Sequence, residues 1–298
     1  MAQHGIQPRK FTATFSERTP RLWCGGDAAL THILNTYTLV VPGNEGYYIR
    51  SLKRCMPRLT DPETIDMVTR FLHQEGQHGA GHHRYWAVME AQGYRFRGFL
   101  RGIEGFLYSF LEPITPLPMR MSMVSCVEHV NAYLGHEFLA QRILEDADPD
   151  LRVLFEWHFA EEIEHKHVAF DVLRQLWPSY TLRLLGAALV LPLFYLLTTA
   201  GMLYLLYQDG LLTSRSTWRG FRQHLFSRHH MVRRTLGHIA AYLHPRFHPW
   251  QLDDSDLARR MVEDDRTSST PRLRDIPVPA STEGGVRGES RSVETEQG

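Results

Sequence analysis

The chain has 298 residues, enough for one large domain or two small ones with a sizeable core. Acids and bases balance at 33 each, so net charge gives no reason to expect nucleic acid or an acidic partner, whereas 17 histidines supply a common metal ligand. Cys24, Cys55 and Cys126 are odd in number and form no C-x-x-C pair, and the N-terminus lacks the apolar run of a secretory signal; both fit a cytoplasmic, reducing compartment.

Residues 1–25 read as an irregular arm. A first helix is predicted from about Asp27, an N-cap by type, to Val40. Pro42-Gly43 is expected to break it and start another, carrying Glu45, Tyr48, Ile49 and Leu52 to about Arg54. Asp61-Pro62-Glu63 opens a long helix to about Gln92. A short helix near 101–112 and a Pro-rich turn precede helices over about 120–145 and 150–177, the second ended by Trp177-Pro178. Strand alternation is lacking, so the class is all-α.

Leu184–Tyr207 differs in kind: 24 residues without a charge, long enough to cross a bilayer, though Pro192 and Gly201 interrupt it and a buried helix is the alternative. Lys166, Arg174 and Arg183 precede it and Arg215, Arg219 and Arg222 follow it, so basic residues do not orient it. An Arg- and His-rich helical segment runs on to about Leu243. Past Thr267 the chain is Ser, Thr, Pro, Gly and charge, with little apolar surface to bury. The expected layout is therefore a ferritin-like four-helix bundle core over 26–180, an additional long apolar helix at 181–207 in contact with membrane, a helical extension over 208–252 and a mostly disordered tail over 253–298.

Across the bundle, carboxylates and imidazoles recur in order: Glu45; Glu75 with His78 in E-G-Q-H; Glu128; Glu162 with His165 in E-I-E-H. Bundle di-iron carboxylate proteins take one Glu from each of two helices and a Glu-x-x-His from each of the other two. Residues three apart lie about 60° apart around a helix, so both side chains reach one ion. A lone Glu-x-x-His is usually a solvated face, but here the wheel decides otherwise. Leu151, Leu154, Ala169, Val172 and Leu176 share the sector of His165; Met67, Phe71, Tyr85 and Met89 that of His78; Met121, Val124, Ala132, Gly135 and Leu139 flank Glu128. Buried unpaired carboxylates are costly, and two divalent ions neutralise them, iron first with manganese or zinc as alternatives. In EEIEHKH the same wheel selects Glu162 and His165, leaving Glu164, Lys166 and His167 on an outer face or around the ligands, and Glu161 as a substitute ligand. His82 and His158 are third ligands from their helices, partners that orient a carboxylate, or plain core histidines.

These residues sit in segments that resemble a bacterial family of predicted metal-dependent hydrolases: VPGNEGYY around Glu45, FLHQEGQHGAGHH around Glu75, His78 and His82, WHFAEEIEHKHVAFDV around Glu162 and His165, and a closing YLHPRFHPW. The resemblance covers about residues 25–250; Asn44 stands where the family tends to have glycine. It implies metal dependence. The bundle ligand pattern favours oxidation of a small apolar substrate at a di-iron centre, ranked first; the resemblance favours hydrolysis by metal-activated water, ranked second; metal storage is third. Membrane lipid and a second copy of the chain are the partners expected, with the inner face of the cytoplasmic membrane as the place.

Overall fold

The computed structural model describes residues 5–16 and 18–278. The chain is all-α apart from one small sheet, in which β1 (Arg9–Phe11) pairs antiparallel with β2 (Leu273–Asp275), Arg9 opposite Asp275 and Phe11 opposite Leu273.

α1 (Ala28–Cys55) starts where the Asp27 carboxylate accepts from the Leu30 amide at 3.0 Å. It runs unbroken through Pro42-Gly43, so the two helices predicted there are one. Proline removes the amide that would bond the Thr38 carbonyl. The indole N–H of Trp86 donates to that carbonyl instead, at 2.9 Å. Gly43 serves close approach: a Cβ there would come within 2.9 Å of the Tyr108 ring. α2 (Pro62–Ala91) is capped by Asp61, which accepts from the Thr64 amide at 2.9 Å, with Pro62 in the first turn.

α3 (Arg97–Glu104), a π-helical stretch (Gly105–Leu111) and the single turn α4 (Glu112–Ile114) form one continuous helical run. α5 (Leu117–Ala140) follows, then α6 (Pro149–His165), capped by Asp148, and α7 (Val168–Leu176). The single helix expected over 150–177 is thus interrupted at Lys166 and His167. Both are buried rather than outward, because residues 249–254 return over them. Lys166 donates to the Leu252 carbonyl at 2.6 Å and pairs with Asp254, and the His167 ring lies against Trp250 with centroids 4.5 Å apart.

α8 (Tyr180–Gln208), α9 (Arg215–Arg222), a second π-helical stretch (Gln223–Ser227), α10 (Met231–Leu243) and α11 (Ser255–Thr267) complete the order. The tail expected from 253 is therefore corrected over 255–275. Ala258, Met261 and Val262 form a short apolar stripe on α11, buried against α6, and the Asp265 carboxylate accepts the amide of Leu273 at 2.9 Å. The rest of that expectation, 279–298, lies outside the described residues.

α1 packs along α2 and α5 along α6, with lighter contacts of α1 on α5 and of α2 on α6. Two apolar clusters occupy opposite ends of this interior. One gathers Trp23, Leu34, Tyr37, Tyr85, Leu151 and Phe155; the other Leu52, Val68, Phe71, Met121, Val124 and Val168. On α1, α2 and α5 the glutamates and histidines singled out above fall between the stretches that feed the two clusters; on α6 they are interleaved with residues of the first. α8 lies along α5 and α1. Gly186 touches Ser122 with no room for a Cβ, the Tyr195 and Tyr133 hydroxyls meet at 2.7 Å, and a Cβ on Gly201 would fall 2.7 Å from Thr36. Its other side is open: Leu185, Leu189 and Leu196 are 51%, 56% and 65% exposed.

Candidate metal centre

Four helices place the site. α1 brings Glu45, α2 Glu75, His78 and His82, α5 Glu128, and α6 His158, Glu161, Glu162 and His165, all buried. Two groups of donor atoms converge: Glu45, His78, His158 and Glu162, and Glu75, His78, Glu162 and His165, each with its atoms within 4.8 Å of one another. The His165 ring lies between two carboxylates, with Nε2 3.2 Å from Glu75 and Nδ1 3.1 Å from Glu128. Glu128 therefore adjoins the second group through His165 rather than sharing its set of mutual distances. His158 Nε2 is 2.9 Å from Glu162 and His78 Nδ1 3.4 Å from Glu45.

A ring of other side chains holds these donors. Glu161 is not in either group: its carboxylate meets His78 Nε2 at 3.0 Å and Arg9 at 3.2 Å, so it sits behind His78 and leaves Nδ1 facing Glu45. His82 likewise sits behind His158, with 3.0 Å between ring nitrogens, and is held in turn by the Thr38 hydroxyl at 2.6 Å. The Tyr37 hydroxyl lies 3.0 Å from His158 Nε2. Of the residues left open by the spacing, His158 lies in one of the two converging groups, and His82 and Glu161 lie outside both. Arg9, Tyr37 and Thr38 are members that sequence reasoning missed, and Arg9 is the most remote. It comes from the arm ahead of the first helix, 152 residues from Glu161, and no local spacing marks it.

Burial raises the pKa of Glu45, Glu75 and Glu162 well above the ordinary carboxyl value, and the neighbouring Glu128 carboxylate adds to it in each case. Burial, and then other imidazoles, push His78, His82 and His158 well below theirs. Glu161 is raised only to about 7, because Arg9 opposes the effect of burial. Apart from the close carboxylate–imidazole approaches above, and from Gly79 beside Glu45 and Asn131 beside Glu162, the carboxylate oxygens of Glu45, Glu75, Glu128 and Glu162, Nδ1 of His78 and the ring nitrogens of His165 have no hydrogen-bond partner among the described residues. Buried polar groups are normally paired, and buried charges nearly always so. Orphaned donors of this chemistry, converging from four helices, fit divalent ions.

A second feature adjoins the centre. A narrow cavity lies between α1, the α3 run, α5 and α8, walled mostly by apolar side chains. Tyr48 lines it from within, buried, one helical turn past Glu45; its hydroxyl has no hydrogen-bond partner, and burial followed by the charges of Glu128, Glu162 and Glu75 raises its pKa well above normal. Tyr48 thus stands between cavity and carboxylates.

An all-α chain that buries clusters of glutamate and histidine suited to divalent ions defines a class of metal-dependent helical protein. Within that class the chain belongs to the family described as predicted metal-dependent hydrolase, whose model matches residues 7–253. No curated protein and no solved structure matches it.

Proposed function

We propose that the protein is a hydrolase working through two divalent ions held by Glu45, Glu75, His78, Glu128, Glu162 and His165, with His158 as a further donor. The family supports metal dependence, and the unpartnered oxygens of four buried glutamates are the observation that carries the site. Leaving such anions without cations costs several kcal/mol per ion, and bound metal offsets it. Glu162 belongs to both donor groups and has two oxygens, which suits a bridging place. His78 offers Nδ1 alone, since Glu161 occupies its other side.

When bound, such ions supply an activated water and stabilise a developing anion, or as iron an oxidising centre. The chain's own residues do the rest. Arg9 neutralises Glu161, Glu161 fixes the His78 ring, and His82 and Tyr37 fix that of His158. The two apolar clusters keep bulk water from both ends of the site. Oxidation remains the second reading, and one observation favours it: the apolar cavity ending on Tyr48 would bring hydrocarbon toward the centre.

The outward side of α8 is proposed to meet membrane lipid, with a second copy of the chain as the alternative. This helix has the length and composition to cross a membrane, and only 22% of its most apolar window is buried.

Metal analysis of the purified chain tests the site. Two ions per chain are expected, falling below half of that in His78→Ala or His165→Ala; wild-type content in either variant would remove the assignment. Stable zinc with ester or amide turnover supports hydrolysis, and two irons with oxygen consumption support the second reading.

A further inference from the structure

The apolar cavity does not end at its rim. It shares Gly43, Glu104, Tyr108 and Glu112 with a wider cleft on the surface. That cleft carries four arginines, Arg50, Arg54, Arg101 and Arg120, against two glutamates, Glu104 and Glu112. Arg50 and Arg120 both hold Glu112, at 2.7 and 3.2 Å, so this triad keeps one positive charge. Arg54 and Arg101 are exposed and, among the described residues, in no ion pair. In a chain whose charges balance overall, this cleft is locally cationic.

The slot behind it is of another character. Leu107, Val127, Leu193, Phe194 and Leu197 wall it, and Tyr48, whose buried hydroxyl is unpartnered, lines it as well. One wall is the π-helical stretch, a geometry that recurs at functional sites. A hydrocarbon slot continuous with an arginine cleft matches a molecule with one apolar and one anionic end. Arginine suits the head because its planar donors pair with carboxylate or phosphate two at a time. A cationic head would meet like charge, and an uncharged chain would leave the cleft unused.

We infer that this composite site binds a single-chain anionic amphiphile, with the chain in the slot against Tyr48 and the carboxylate or phosphate head between Arg54 and Arg101. The inference rests on the cavity being the approach to the proposed metal centre, and holds for either reaction there.

The test is calorimetric titration of the full-length, metal-loaded chain with monomeric laurate, dodecyltrimethylammonium and acetate. One laurate per chain should bind, at least tenfold tighter than the cationic amphiphile, with no measurable acetate binding. Leu193→Trp, which fills the slot, should weaken laurate at least tenfold. Arg54→Ala combined with Arg101→Ala, both at exposed positions, should abolish the preference for laurate over the cation while leaving chain binding in place. Equal binding of the two amphiphiles by the wild type would overturn the proposal, as would laurate binding untouched by Leu193→Trp in a folded variant. Sedimentation with phosphatidylglycerol vesicles without binding of monomeric laurate would overturn it in favour of a lipid surface. Metal content is read separately, so loss of laurate binding at full metal loading sinks this inference alone, and loss of metal with laurate still bound sinks only the metal site.

Discussion

The interior enclosed by α1, α2, α5 and α6 is charged, while the outer side of α8 is hydrocarbon. Glu75, Glu128 and Glu162 are at most 1% exposed; Leu185, Leu189 and Leu196 are more than half exposed. Most soluble chains do the reverse. Each region is costly in isolation, for opposite reasons. The buried carboxylates lack counter-charge, and the leucines lack cover. The comparison teaches that the two deviations ask for different companions: cations for the first, an apolar neighbour for the second.

The largest effects should come from the interior. Beyond the metal content of the histidine variants, metal-free protein should show a distinctive pH profile. Raised Glu45, Glu75 and Glu162 hold protons that the unfolded chain has released, so stability falls as pH climbs above their ordinary value of 4.5. Depressed His78, His82 and His158 refuse protons that the unfolded chain accepts, so stability also falls as pH drops below 6.5. Between those values the two slopes oppose, and the metal-free melting temperature should peak there. Metal-loaded protein should instead gain stability toward neutral pH, because its ligands must be deprotonated. A metal-free melting temperature that keeps rising past neutrality would contradict the buried-carboxylate account.

Next in size is Arg9→Ala. It strands Glu161 and Glu164 behind His78 and should cost about 3–5 kcal/mol by chemical denaturation, the range for a broken buried pair. An effect under about 1 kcal/mol, the level of a surface ion pair, would show that Arg9 does not carry that role. Trp86→Phe keeps an aromatic ring but leaves the Thr38 carbonyl without its donor, and should cost about 1–3 kcal/mol. If it is neutral, the continuity of α1 through Pro42 has another cause.

The smallest stability effect belongs to α8. Glutamine at Leu185, Leu189 and Leu196 together should change unfolding free energy by no more than about 0.5 kcal/mol per site. It should nevertheless move the protein from the membrane fraction to the soluble one. A wild-type chain that needs no detergent and stays monomeric would end the lipid proposal.

The helical class was legible, and so was the burial of Glu75, His78, Glu162 and His165, because Glu-x-x-His falls on apolar stripes, a local property of α2 and α6. What was not legible depends on distant partners. Pro42 reads as a helix breaker until Trp86, on the next helix, supplies the missing hydrogen bond. Lys166 and His167 point outward on a wheel, yet a segment more than 80 residues later covers Lys166. Arg9 has no spacing signal at all. The charged stretch from 255 to 267 hides Met261 and Val262 among acids and arginines, so composition reads it as a tail.

The small sheet sets an order of events. Arg9 sits in β1, and the strand that pairs with it, Leu273–Asp275, leaves the ribosome only after the residues of α1 to α11. The donors on α1, α2, α5 and α6 are synthesised long before the strand that partners the arm carrying Arg9. A nascent chain can therefore gather its glutamates early, but it fastens the guanidinium that steadies Glu161 last. A chain stopped short of 273 would carry the donors without the strand that pairs with β1.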